Sequence, residues 1–277
     1  MAFIQMNVFS QKLMRNVPVN VILPVDKMVF PGMPKRENVP YKTLYLLHGI
    51  LGNYMDWVNQ TRVIRYAEDN NLAVIMPSGD NAFYVDQPDG NNFYGEFVGQ
   101  ELVELTRKMF PLSCKREDTY IGGLSMGGFG ALRNGLKYHE TFGAVIALSA
   151  ALIMENIEKR NNESPAFMER RDYAQSVFGN LEKLKDSDKN PAWLVRHMKE
   201  ERINFPKIFM ACGNQDSLVY ANREFVHLLE ENEVDVSFEV GEGNHEWDFW
   251  DTYLKKALDW LPLEKSGMGI GSGNIGI

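Results

Sequence analysis

One stretch constrains this chain more than any other: Thr119 to Leu132, TYIGGLSMGGFGAL, an apolar β-like run that breaks at glycines and continues as a small-residue helix. Its middle, Gly123 to Gly127, reads G-x-S-x-G. Such a motif holds a serine on a tight strand-to-helix turn, where its hydroxyl stands clear of the backbone and the next residue's N–H faces the same point. Glycines flank Ser125 because a Cβ there would strike the neighbouring strand or helix. With Gly and Ser each at about 7% of residues, the bare pattern arises by chance in about one chain of this length in ten. Context therefore has to decide, and the motif demands a strand before it and a helix after it. Both are present.

The rest of the chain alternates in the same way. Residues 17 to 23 predict an opening β-hairpin, closed off by Pro24 and the Pro31-Gly32-Met33-Pro34 loop. Short apolar strands follow at Lys42–Leu47 and Leu72–Met76, with helical spacing from Trp57 to Asp69 between them. Then come a helix from Glu96 to Phe110, the serine-bearing strand, and strands at Ala144–Leu148, Lys207–Cys212 and Val234–Val240. Helices at Ser217–Glu231 and about Trp247–Leu261 complete the pattern. Strands alternating with helices predict an α/β fold, a mostly parallel central sheet flanked by helices on both faces. In such sheets ligands bind beyond the carboxyl ends of the strands. His48-Gly49, Pro77-Ser78-Gly79-Asp80, Ser125, Gly213-Asn214-Gln215-Asp216 and Gly243-Asn244-His245 all sit at such ends. Residues 151 to 205 interrupt the alternation with charged helical pieces, Arg171 to Phe178 and Trp193 to Glu201, and are expected to form a small helical cap insertion. Residues 1–262 read as one domain, and 263–277 as a flexible Gly-rich tail. Within it, Gly271 to Gly276 fits G-x-G-x-x-G but has no strand before it and no room for a helix after it.

Composition narrows the function. The chain has 277 residues, 44% of them apolar, enough for a large core. Its net charge of −8 comes from mixed acids and bases, so no basic footprint for nucleic acid or an anionic membrane exists. Cys114 and Cys212 are the only cysteines, too few for a disulfide framework or a C-x-x-C site. The N-terminal sequence lacks a signal-peptide pattern, and no apolar run approaches the length of a membrane span. A cytoplasmic protein is expected, acting on a neutral small molecule and needing no cofactor. A homo-oligomer is the one macromolecular association this leaves open.

A serine hydroxyl needs a base to take its proton, and histidine is the side chain that does so near neutrality. Of five histidines, His227, His197 and His139 fall in or beside helices, and His48 reads as a loop anchor. His245, in a glycine-flanked turn directly after a strand, is the candidate base. The rival reading, a zinc site at His245-Glu246, fails because H-E-x-x-H needs a second His where Phe249 stands. No metal is expected. The acceptor that fixes the imidazole is assigned to Asp216, which gives the chain order Ser, Asp, His. Asp248 and Asp251 lie in the following helix and Asp235 at the wrong end of a strand. Donors for a tetrahedral oxyanion are expected from the N–H of Met126 and from the first glycine loop, at Ile50 with Leu51 as the alternative.

At Tyr45-Leu46-Leu47-His48-Gly49, Gly122 to Leu132, Ala211 to Asp216 and Gly243 to Trp250, the chain resembles the esterase D and tributyrin esterase group of α/β-hydrolases. That group is related to feruloyl and acetyl xylan esterases and, more distantly, to the mycobacterial antigen 85 acyltransferases. The resemblance runs from about residue 3 to 262. It implies an α/β-hydrolase fold and a carboxylesterase acting on a small-molecule ester with a short acetyl, butyryl or feruloyl acyl group. Ser125, Asp216 and His245 would be its triad, and the N–H groups of Ile50 and Met126 its oxyanion hole. It also suggests that Leu51, the segment Phe83–Asp86 with Tyr84, and the aromatics Phe93, Tyr94, Trp247 and Trp250 border the substrate cleft. The rivals are a thioesterase of the S-formylglutathione hydrolase type with the same triad, an acyltransferase, and a non-catalytic binding protein on the same fold.

Overall fold

A strand that is apolar on both faces must be covered on both, because successive side chains point to opposite sides. The strand Thr43–Leu47 shows this directly: all its residues are buried, Leu44 and Leu46 in one core cluster, Tyr45 and Leu47 in the other. The computed structural model describes residues 1–28, 31 and 39–263. The expected glycine-rich tail from residue 264 onward lies outside the described residues.

In chain order the elements are β1 (Ala2–Ser10), β2 (Arg15–Leu23), β3 (Thr43–Leu47), α1 (Asp56–Gln60), α2 (Val63–Asp69) and β4 (Ala73–Pro77). A short antiparallel pair, β5 (Asp86–Gln87) and β6 (Asn92–Phe93), leads into α3 (Tyr94–Glu96), which runs through a π turn (Phe97–Glu101) into α4 (Leu102–Met109). Then follow β7 (Thr119–Leu124), α5 (Met126–Lys137), β8 (Ala144–Leu148), α6 (Arg171–Phe178), α7 (Pro191–Glu200), β9 (Lys207–Gly213), α8 (Val219–Glu231), β10 (Val236–Gly241) and α9 (Trp247–Trp260). An eight-stranded sheet has the order β1-β2-β4-β3-β7-β8-β9-β10. β2 runs antiparallel to both β1 and β4, and the remaining neighbours pair in parallel. Residues of α4, α5 and α8 share one core cluster with one face of the sheet; residues of α1, α2 and α9 share the other. This is the α/β-hydrolase architecture.

One expectation needs correction. The helix expected from Trp57 to Asp69 is two helices. Thr61 between them is extended (φ −137°, ψ 173°), its hydroxyl accepts the Val63 N–H at 3.2 Å, and Asp251 of α9 accepts the Arg62 N–H at 2.9 Å. The helices of the 151–205 insertion pack against the elements beside it, α7 on α5 and α8, and α6 on β5. Arg133 of α5, fully buried, binds Asp86 at 3.1 Å and Asp188 of the insertion at 3.3 Å, and donates to the Asp188 carbonyl at 3.0 Å. A buried guanidinium satisfied in this way ties the insertion to the helix that follows the serine.

The turn between β7 and α5 is the tightest junction in the chain. Ser125 has φ +53° and ψ −119°, a left-handed conformation rare for a residue with a Cβ. Its N–H donates to the Leu148 carbonyl of β8 at 2.8 Å, and its carbonyl accepts from Phe129 and Ala151 at 3.0 Å each. The glycines are there for approach rather than for φ. A Cβ on Gly127 would lie 2.4 Å from the Leu47 carbonyl oxygen and 2.6 Å from that of His48; one on Gly123 would lie 2.5 Å from Gly127 itself. These neighbours are backbone and cannot swing aside. Gly127→Ala is therefore expected to cost about 3 kcal/mol of stability and to depress activity even where the protein stays folded. A thermal-unfolding midpoint equal to wild type, with equal activity, would show that the turn has slack it does not display.

Candidate active site

Three loops at the carboxyl ends of β7, β9 and β10 bring three side chains into line. Ser125 is the first residue past β7. Asp216 follows β9 in a turn closed by its own N–H to the Gly213 carbonyl at 3.2 Å, and Gly213 itself leaves no room for a Cβ against Gly243. His245 follows β10, after Gly243 at φ +135°. His245 Nε2 lies 3.0 Å from Ser125 Oγ, and His245 Nδ1 lies 2.8 Å from Asp216 Oδ2. A carboxylate can only accept, so Nδ1 carries the proton and the Nε2 lone pair faces the hydroxyl.

Asp216 is buried and His245 is partly open to solvent. Burial pushes the Asp216 carboxyl up, yet hydrogen bonds from the His245 ring, the Leu218 N–H and the Ser149 hydroxyl outweigh it and hold the group below the ordinary aspartate value. Ser149 was not singled out from the sequence. It stands directly after β8, the same kind of strand end that located the others, and its hydroxyl oxygen accepts the Trp250 Nε1–H at 3.1 Å. With that lone pair engaged, its own proton is free to turn to Asp216. Trp250 also sets its ring edge-on to His245, with centroids 4.8 Å apart.

A cavity of about 300 Å³ opens over the serine, lined by Gly49, Ile50, Leu51, Gly52, Asp56, Leu124, Ser125, His245, Trp247 and Trp250. No described residue accepts a hydrogen bond from the N–H of Ile50 or of Met126, the latter at the start of α5, where helix geometry leaves N–H groups unpaired. The alternative donor is engaged elsewhere: the Leu51 N–H points to Asn81 Oδ1 at 2.8 Å. Among the described residues no group of three His, Cys, Asp or Glu side chains is placed to hold a metal ion.

Of the residues expected around the cleft, Leu51, Trp247 and Trp250 line this cavity, and Tyr84, Phe93 and Tyr94 do not. Tyr84 is fully buried behind the glycine loop, its hydroxyl donating to the His48 carbonyl at 3.0 Å. Phe93 pairs with Asp86 in the short two-stranded sheet. Tyr94 lines a separate cavity with Arg15, Asp80 and Tyr173.

His48 is a loop anchor, as its place in the sequence suggested. Its Nε2 accepts the Gly79 N–H at 2.8 Å, so Nδ1 carries the proton, directed to the Gly49 carbonyl at 2.7 Å. Burial lowers its pKa, outweighing the Gly49 hydrogen bond that favours the charged form. An imidazole kept neutral in the fold but free to ionise once unfolded makes the unfolded state bind more protons as pH falls below the unperturbed value of about 6.5. Stability present above that pH is therefore lost as pH drops toward the folded pKa; His139, also lowered by burial, adds a change of the same sign. Across about pH 7.5 to 5, His48→Gln should show a shallower decline of melting temperature than wild type. Parallel declines in the two proteins would exclude His48 as a source of the slope.

A serine, an imidazole and a carboxylate in the chain order Ser, Asp, His, presented on the strand ends of this sheet, define an α/β-hydrolase. The chain belongs to the Esterase family, whose model matches residues 10–261. It is 45% identical to an acetyl esterase of Caldicellulosiruptor saccharolyticus over 261 residues, 94% of this chain and 98% of that one. Two structures from Staphylococcus aureus are also similar, each at 31% identity over 94% of this chain and 98% of the other. One is the substrate-bound fluorophosphonate-binding serine hydrolase FphF, with a TM-score of 0.82; the other is the S-formylglutathione hydrolase FrmB, with a TM-score of 0.79. The protein is a carboxylic ester hydrolase. No helix among the described residues is long and apolar enough to cross a membrane.

Proposed function

We propose that Ser125, His245 and Asp216 form the catalytic triad of an esterase for acetyl and other short acyl esters, with the N–H groups of Ile50 and Met126 as the oxyanion hole. The unbroken line of contacts from Asp216 through His245 to Ser125 carries this reading. Neutral His245 removes the hydroxyl proton as Ser125 Oγ bonds to the ester carbonyl carbon, and the carbonyl oxygen takes up negative charge beside the two N–H groups. The intermediate collapses, the C–O bond to the alcohol breaks, and His245 returns its proton to the departing alkoxide. Water then repeats the sequence on the acyl-serine and releases the acid, with Asp216 stabilising the imidazolium each time it forms.

The short-acyl assignment rests on the cavity, whose volume lies at the low end of the usual range for ligand sites, and on the acetyl esterase relative. Asp56 is the one acidic side chain lining the cavity, which favours a neutral ester over an anionic thioester of the glutathione type. The reading takes residues 1–262 as one catalytic domain carrying the 151–205 insertion. It also keeps a cytoplasmic location and a small-molecule ester partner.

Ser125→Ala should lower turnover of p-nitrophenyl acetate by about 1,000-fold or more without changing the melting profile, and should abolish labelling by a fluorophosphonate. Undiminished turnover in that variant would falsify the triad. On the wild type, kcat/KM should fall from acetyl and butyryl to octanoyl esters and should be higher for oxygen esters than for S-formylglutathione; the reverse order would move the assignment to a thioesterase.

A further inference from the structure

The oxyanion loop is held from outside the triad, and the holding group comes from a segment that lines no part of the serine's cavity. Leu51, next to the proposed donor Ile50, has φ +67° and is 69% exposed. A left-handed leucine is disfavoured by its Cβ, and an exposed one cannot be kept there by packing. Two hydrogen bonds hold it: the Gly52 N–H to the Gly49 carbonyl at 3.2 Å closes the turn around it, and its own N–H donates to Asn81 Oδ1 at 2.8 Å, the one tie to another segment. Because Leu51 contributes an N–H, the amide atom facing it must be the oxygen. Asn81 lies in a loop that is itself strained, with Asp80, Phe83 and Tyr84 all at positive φ. Its backbone carbonyl accepts the Tyr173 hydroxyl of α6 at 2.7 Å, and burial raises the Tyr173 pKa so that the hydroxyl stays a donor. The same loop grips the glycine turn at two more points: the Gly79 N–H to His48 Nε2 and the Tyr84 hydroxyl to the His48 carbonyl.

We infer that Asn81 is a positioning residue for the oxyanion hole, setting the direction of the Ile50 N–H through Leu51, and that Tyr173 of the insertion sets Asn81 in turn. This rests on the triad reading above. The insertion thus acts on catalysis through two hydrogen bonds in series, with no residue in the cavity. A donor aimed at charge that exists only in the transition state changes kcat rather than substrate binding.

The test uses the full chain with p-nitrophenyl acetate. Asn81→Leu, which removes the acceptor, should lower kcat by about 10- to 100-fold, less than the loss of a whole donor, with KM within about twofold. Asn81→Asp, which keeps an acceptor oxygen, should recover kcat to within about fivefold of wild type. Tyr173→Phe should lower kcat several-fold, again at constant KM. Equal kcat in Asn81→Leu and wild type, or a loss that Asn81→Asp fails to recover, would overturn the inference, as would an effect confined to KM. Where Asn81→Leu does not fold, the Asp and Phe variants decide: an unchanged kcat in Tyr173→Phe, or in Asn81→Asp a loss of the size expected for the leucine variant, rejects it. Ser125→Ala separates the two levels. If that variant is active, the triad is wrong; if it is inactive while Asn81→Leu is not impaired, only the positioning role falls.

Discussion

The close approach of α5 to the end of β3 sets the terms for everything around it. With the Leu47 and His48 carbonyl oxygens so near Gly127, the helix can begin only where the chain has no side chain to place between them. That forces the turn at Ser125 into a left-handed conformation, which three backbone hydrogen bonds from two neighbouring segments then over-determine. A serine held this way has little freedom beyond the rotation of its own hydroxyl. The same contact brings the glycine loop after β3 alongside the first turn of α5, so that two unpaired N–H groups belong to segments pressed against each other.

Electrostatics completes the arrangement. Asp216 is hidden from water yet stays ionised because its oxygens are met by an imidazole N–H, a backbone N–H and the Ser149 hydroxyl. That hydroxyl is in turn oriented by Trp250, and Trp250 packs on His245 and on Trp247, which packs on Trp57. One indole thus supports the acid through a hydrogen bond and the base through a ring contact. Buried polar groups linked in this manner are cheap only when every member is satisfied, so the site gains rigidity without an exposed charge pair.

Much of this could be read from the sequence, and what escaped has physical reasons. Most of the parallel strands were visible as short apolar runs, several ended by glycine or proline, and the serine, acid and base because each lies at the carboxyl end of a strand. Ser149 also lies at a strand's carboxyl end but has no glycine neighbours, so nothing set it apart. β1 was overlooked although Ile4, Met6 and Val8 alternate inward against exposed Phe3, Asn7 and Phe9. The break at Thr61 depends on Asp251, far along the chain, which no local pattern reveals. Whether a ring such as Tyr84 faces the cavity or is buried behind a loop is set by tertiary packing rather than by any local pattern.

Cys212, next to last in the strand that delivers Asp216, has its thiol raised to about 12 by burial and by the adjacent carboxylate. Oxidants and alkylating agents attack the thiolate, not the thiol. The charge that the imidazole relies on therefore also disfavours the thiolate of the sulfur beside it. Cys114, on the surface, is where such reagents can act.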